Sequence, residues 1–347
     1  MRRKGGRSRN GLVLAAVLVA AAVFCVPVRG SQSYEEEGFG LRLAPAFIQF
    51  IDVSAMGGET VANRYSSAVN PASADWESLG EGKTAVLAPY FSQVRFDTGT
   101  HINVYGESVT LEIGEWGTIQ PTLSQVRSNT ETDRQGVGFD YEVDSAQVQW
   151  ARRFDDWAVG ANLNYADAQV VRTLGPLTLA DSDARNWRLR LGVLHQPADP
   201  WLLGMIVEYG HGDYRAEGVM PTPLGPVPYV MRDRLHQFIF RPGASYEYAD
   251  RSTVYADCQY GRFWDDTGRL RTHRLTVGVD HRLCRWIWVR GSTNCDWRGN
   301  TGVSAGLSMF MSRSCGLDVG YRHNVLPELN PEFSRSNILQ ATFNLRF

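Results

Sequence analysis

The stretch WLLGMIVEY, Trp201–Tyr209, puts Trp201, Leu203, Met205, Val207 and Tyr209 on one face of an extended chain. Side chains alternate sides along a strand, so this face has an aromatic ring at each end and aliphatic groups between. That is the pattern of a strand whose outer face meets lipid, with its rings at the two membrane interfaces. WAVGANLNY, Trp157–Tyr165, repeats it with Trp157, Val159, Ala161, Leu163 and Tyr165. Its other face, Ala158, Gly160, Asn162 and Asn164, is small and polar. In NWRLRLGVL the outward residues are Trp187, Leu189, Leu191 and Val193, against inward Arg188, Arg190 and Gly192. In RLTVGVDH, Leu275, Val277 and Val279 alternate with Arg274, Thr276, Gly278 and Asp280. A soluble β-sandwich also alternates, but it puts its aromatics at strand centres and keeps charge off its inner faces.

The end of the chain carries the same pattern. SNILQATFNLRF, Ser336–Phe347, has Leu339, Ala341, Phe343, Leu345 and Phe347 on one face and Gln340, Thr342, Asn344 and Arg346 on the other. A last strand closing on an aromatic residue is read as an assembly signal for outer-membrane insertion, carried by Phe343, Leu345 and Phe347. It implies the barrel assembly machinery as a partner. Residues 1–10 hold Arg2, Arg3, Lys4, Arg7 and Arg9, and the apolar run GLVLAAVLVAAAVFCV follows from Gly11 to Val26. This predicts a cleaved secretory signal peptide over 1–30. The run is short for a spanning helix, which needs about 20 apolar residues. Phe24 before Cys25 argues against lipidation.

Composition agrees with a membrane barrel. Trp 10, Tyr 14 and Phe 15 make the chain rich in aromatics, while its mean hydropathy is only -0.27. Only every second strand residue has to face lipid, so both features can hold at once. Six of the 35 basic residues fall in 1–30, leaving 29 against 37 acidic, a balance of -8. That balance disfavours a nucleic-acid partner. Cys258, Cys284, Cys295 and Cys315 have no metal-binding spacing, with Cys258 and Cys315 at lipid-facing positions. The seven histidines are scattered, and neither a nucleophile elbow nor a phosphate loop appears. No catalytic residues, metal site or cofactor are expected.

The alternation predicts an all-β protein, a transmembrane antiparallel barrel of about 14 strands over 83–347, an even number as bacterial barrels require. Short turns alternate with long external loops. The loops include TLGPLTLADSDA and the proline-rich segment from His211 to Arg232. Two strands are expected to break phase. In GFDYEVDSAQVQW the outward face would be Phe139, Tyr141 and Val143, then Ala146, Val148 and Trp150, with a bulge near Ser145 restoring register. That register would turn Asp140, Glu142 and Asp144 into the lumen, together with Arg188, Arg190, Arg241 and Asp257. In HQFIFRPGASYEY, Pro242 and Gly243 interrupt the ladder, because proline has no N–H to donate.

Residues 31–82 do not alternate and are rich in small and turn-forming residues. Such a backbone cannot face lipid, where its polar groups would be unsatisfied. A barrel of about 14 strands encloses more space than its side chains fill, so the segment is predicted to be an N-terminal plug, or hatch. The segment resembles the hatch of the FadL family, outer-membrane transporters of long-chain fatty acids and other hydrophobic molecules. Ser54-Ala55-Met56-Gly57-Gly58 and the triplet Asn70-Pro71-Ala72 carry the likeness. STVYADCQYGRFWD, Ser252–Asp265, and GLDVGYRHN, Gly316–Asn324, resemble late strands of that family. The sequence departs from the pattern at Val69, where the family usually has an aromatic, and in its shorter length.

The resemblance implies passive uptake of a hydrophobic small molecule, such as a long-chain fatty acid or an aromatic hydrocarbon. It would take place across an outer membrane of the Gram-negative type, with lipid and lipopolysaccharide as surroundings. Met56, Gly57, Gly58, Asn70, Pro71 and Ala72 would form the hatch, with Asn70 fixing its turn through side-chain hydrogen bonds and Pro71 setting the backbone that follows. The ligand would leave when the hatch moves or through a gap in the wall. Two other functions fit such a barrel: a protein-interaction shuttle of the type IX secretion kind, and a general or structural barrel.

Overall fold

The structure, a computed structural model, describes residues 60–64, 68–76, 84–96, 101–128, 137–222, 225–265, 268–297, 299–312, 314–324 and 336–347. Fourteen antiparallel strands form one closed barrel. They are β1 (Ala85–Phe96), β2 (His101–Glu112), β3 (Thr118–Ser128), β4 (Val137–Phe154), β5 (Trp157–Leu174), β6 (Leu177–Ala198) and β7 (Trp201–Thr222). They continue with β8 (Gly225–Ala249), β9 (Ser252–Trp264), β10 (Arg269–Cys284), β11 (Ile287–Asp296), β12 (Thr301–Phe310), β13 (Cys315–His323) and β14 (Ser336–Arg346). Each strand pairs with its chain neighbours. β1 closes on β14 from Val86↔Arg346 to Phe96↔Ser336. Closure leaves no edge, so ladder groups are satisfied all round. The last residue takes part: the Phe347 N–H donates to the Ala85 carbonyl (2.9 Å), and the Phe347 carbonyl accepts from the Thr84 N–H (2.9 Å).

The alternation reads correctly across the lipid-facing band. Trp157, Leu163, Tyr165, Trp187, Leu189, Leu191, Trp201, Leu203 and Met205 are exposed on the outer wall. Their neighbours Ala158, Asn162, Arg188, Arg190, Leu202 and Glu208 are buried inside.

Two expectations fail. First, the two loop segments named above, 173–184 and 211–232, are largely strand where the structure describes them. β6 and β7 are 22 residues each and β8 is 25, whereas about 9–11 residues span a membrane. The proline-rich stretch is a hairpin tip, with Arg215↔Arg232 and Thr222↔Gly225 in register. Second, no bulge occurs at Ser145. β4 keeps one register on both sides, through Ser124↔Ser145 and Ser145↔Ala166. With phase unbroken, Tyr141 and Val143 point inward and are buried, while Glu142 and Asp144 are exposed outside. The side chain of Phe139 lies outside the described set.

Both errors have one cause. Beyond the lipid the inside–outside chemistry inverts while the geometry continues. A search for apolar residues facing outward reads that inversion as a slip or a loop.

Candidate functional site

The interior of the long-strand half of the barrel divides into three tiers. Nearest the rim of short turns, residues 60–64 and 68–76 lie against the inward faces of β3 to β8. Asn70 is fully buried. Its Oδ1 accepts from the Ala72 N–H (3.1 Å), which caps a 3-10 helix over Pro71–Asp75. Its Nδ2 donates to the Val61 carbonyl (2.7 Å) within the segment and to the Val193 carbonyl (3.0 Å) on the barrel wall. Pro71 occupies the first helical position, where its missing N–H costs nothing.

The segment fits because the wall beside it lacks a side chain at three points. A Cβ on Gly192 would collide with Asn70 Oδ1 and the Pro71 ring, one on Gly160 with the Pro71–Ala72 backbone, and one on Gly204 with the Val61 carbonyl. These inward glycines let backbone approach backbone. Ala72 and Trp76 pack with Ala158, Leu194 and Leu202; Val61 and Val69 pack with Ile206. Asp75 accepts from the Thr118 hydroxyl (2.6 Å) and the Arg153 N–H (2.8 Å), and the Arg153 guanidinium lies 4.6 Å from the Trp76 ring centre. Met56, Gly57, Gly58 and the predicted signal peptide, 1–30, lie outside the described residues.

A polar girdle forms the middle tier. Arg190 donates to the carbonyls of Ala68 (3.0 Å) and Val69 (3.2 Å) and pairs with Glu208 (2.6 Å). Glu208 also accepts from Gln237 and lies 3.9 Å from Arg188. Asn162 donates to Gln149 (3.2 Å), and Arg241 grips Asp257 through two bonds, 2.7 and 3.1 Å. A buried charge has to be paired and hydrogen-bonded, and here the arginine that balances Glu208 also binds the seated segment.

Above the girdle the interior turns apolar. Tyr141, Val143, Ala166, Ala168, Val170 and Ala184 form a buried cluster with Ile102, Tyr214, Ala216, Leu235 and Phe263. Val94, Val126, Tyr229, Met231 and Ile239 pack against it. Ala184, Tyr214, Ala216, Tyr229 and Met231 lie in segments that the sequence reading took for loops, and Tyr141 and Val143 on a face that it turned outward. Strict period two continuing through Asp181–Arg185 and His211–Glu217 was the available signal.

The wall is interrupted at prolines. The β8–β9 ladder runs to Phe240↔Tyr260 and resumes at Gly243↔Asp257 without a change of register, skipping Arg241 and Pro242. Two further skips, absent from the sequence reading, fall at Pro89 between β1 and β14 and at Pro121 between β2 and β3. Beside these lies a depression of about 630 Å³ in the outer wall. It is lined at outward positions by Pro89, Tyr105, Leu123 and Tyr165 together with the acids Glu107, Asp144 and Asp167, and the inward-position residues Gly106, Ser124 and Ser145 also border it. Ser145 therefore belongs to this wall feature as a regular residue, hydrogen-bonded to Ser124 (2.5 Å). Among the described residues, Cys258, Cys284, Cys295 and Cys315 form no disulfide with one another.

The fold of this closed 14-strand barrel is found among solved structures. The chain is similar to the Pseudomonas putida toluene transporter TodX, with a TM-score of 0.54 and 12% identity over 85% of this chain and 96% of that one. It is similar to the CymD monoaromatic hydrocarbon channel, with a TM-score of 0.57 and 13% identity over 84% and 95%. It is also similar to a Pseudomonas aeruginosa FadL homologue, with a TM-score of 0.51 and 10% identity over 84% and 96%. The fold is that of the FadL-type barrels. No protein-family model and no curated protein matches the sequence. At these identities the likeness is one of fold.

Proposed function

We propose that this chain is an outer-membrane channel for passive uptake of hydrophobic small molecules, in the class of long-chain fatty acids and aromatic hydrocarbons. The observation that carries the reading is the inversion of the lumen: an apolar, aromatic-rich interior in the half beyond the lipid band, above a polar girdle and a seated segment. Apolar residues buried inside a barrel where water would otherwise enter favour a ligand that sheds its hydration, held by an apolar lining with few polar anchors. The rim of short turns faces the periplasm, and the long strands project outward. Residues 31–82 act as the hatch, held by Asn70 and Arg190. The depression near Pro89 and Pro121 offers a way into the lipid. The fold's likeness to a toluene transporter and a monoaromatic hydrocarbon channel supports this class of cargo.

The test is uptake together with conductance. Cells carrying the protein should take up toluene or a long-chain acid faster than cells with empty vector, with no gain for small sugars. In planar bilayers the intact barrel should conduct little, and a variant lacking 31–82 should form large ohmic pores. Porin-like conductance from the intact protein, with unchanged apolar uptake, would overturn the proposal.

A further inference from the structure

On the outer wall of β5 to β9, Tyr165, Trp187, His211, His236 and Trp264 are register partners in succession. From Trp187 onward their rings meet: Trp187–His211 at 6.0 Å, His211–His236 at 4.7 Å and His236–Trp264 stacked at 5.2 Å. Rings of this kind mark the level where acyl chains give way to headgroups. Outward positions recur every two residues, about 7 Å along the strand, and beyond this row they become charged. The first row above it contains Asp167, Arg185, Asp213 and Arg234, and the second Asp183, Arg215 and Arg232.

These residues border a groove of about 730 Å³. Its internal ion pairs are loose and wet: Arg185–Asp167 at 3.9 Å and Arg234–Asp213 at 3.6 Å, with the two arginine side chains 75% and 71% exposed; Arg215 is in close contact with Glu217, one row further out, and both of those side chains are half exposed. Such pairs contribute little to stability and yield readily to an oxyanion, which a guanidinium binds in bidentate fashion.

We infer that this groove seats the phosphorylated headgroup of an outer-leaflet glycolipid, its phosphates on the arginines and its sugar hydroxyls donating to the aspartates. Height and charge both select this occupant. A phospholipid headgroup lies at the level of the rings, whereas a glycolipid continues past it into both charged rows. The alternating signs suit a ligand that carries anionic acceptors and neutral donors together. The inference rests on the outer-membrane reading but not on the identity of the transported molecule.

The experiment is native mass spectrometry of the full-length protein in detergent. It is mixed with purified bis-phosphorylated lipid A, with the same glycolipid dephosphorylated, or with phosphatidylglycerol. One equivalent of the phosphorylated glycolipid should be retained in preference to both others. The double variant R215Q/R232Q should weaken retention by about tenfold or more, since each lost contact is a charge-assisted bond. R152Q, at the opposite rim, should leave it unchanged. A barrel-specific gel shift confirms that each variant is folded, and R232Q alone serves if the double variant is not. Equal retention of phosphatidylglycerol or of the dephosphorylated lipid, or no loss in the arginine variants, would overturn the assignment. Toluene uptake measured on the same variants reads the transport function separately.

Discussion

Gly160, Gly192 and Gly204 occupy inward positions on three successive strands, and what they have in common is a neighbour. Each faces backbone or side-chain atoms of residues 61–72 at a distance that leaves no room for a Cβ. Because Asn70 is fully buried there and bonds to Val193 on the wall, even a methyl group should push the segment off its seat. We expect Gly192→Ala to leave the barrel assembled while making residues 60–76 accessible to protease and raising single-channel conductance. Gly291→Ala, whose added Cβ meets only the Ser304 carbonyl at 3.9 Å, should change neither. Asn70→Ala should act in the same direction as Gly192→Ala, since loss of a helix cap costs about 0.5–2 kcal/mol and the Val193 carbonyl also loses its donor. Unaltered protection in Gly192→Ala would mean that the segment is not seated there.

At the scale of elements, the β7–β8 hairpin does two jobs along one pair of strands. Its lower part spans lipid, with Leu203, Met205 and Phe240 outward. Its upper part supplies Tyr214, Ala216 and Leu235 to the interior cluster, joined by Tyr229 and Met231. The two parts are separable because each makes its own ladder pairs, and Gly212↔Leu235 is a register pair that a short turn can close. A chain in which residues 213–234 are replaced by such a turn should still assemble and shift on gels when heated. Its uptake of toluene or a long-chain acid should fall towards the vector level, because the apolar tier is opened to water. Full uptake in that variant would show that ligand capture does not use this tier.

Assembly belongs to the whole molecule, since the barrel closes only where its two ends meet. Phe347 lies on that seam, its backbone bonded to Ala85 and Thr84 and its side chain exposed on the outer wall. Deleting Phe347 removes three seam hydrogen bonds, each contributing about 1 kcal/mol, and the aromatic end of the terminal strand. The expected result is protease-sensitive chain in the periplasm. Normal heat-modifiable barrel in the membrane fraction would show that the terminal aromatic is dispensable.

The lipid-facing band, the number of strands, the inward Arg188, Arg190, Arg241 and Asp257, and the interruption at Pro242 were legible in the sequence. Each follows from a rule acting over a few residues: period-two alternation against lipid, or a proline without an N–H. The Asn70-Pro71-Ala72 triplet could be singled out, but not its contacts, because Val193 and Gly192 are remote in sequence and adjacent only once the barrel has closed. The inverted upper half was misread for the same reason. Tyr141 and Val143 are apolar and alternate correctly, and nothing local says whether lipid or lumen lies on their side. That depends on height above the membrane, which is set by how far β4 to β8 run in continuous register. The sequence alone therefore determined a lipid-spanning barrel, through the repeating contrast between a strand's two faces. Only the tertiary structure decided that the barrel is apolar outside in one half and apolar inside in the other, because solvent changes along the axis while the strands continue.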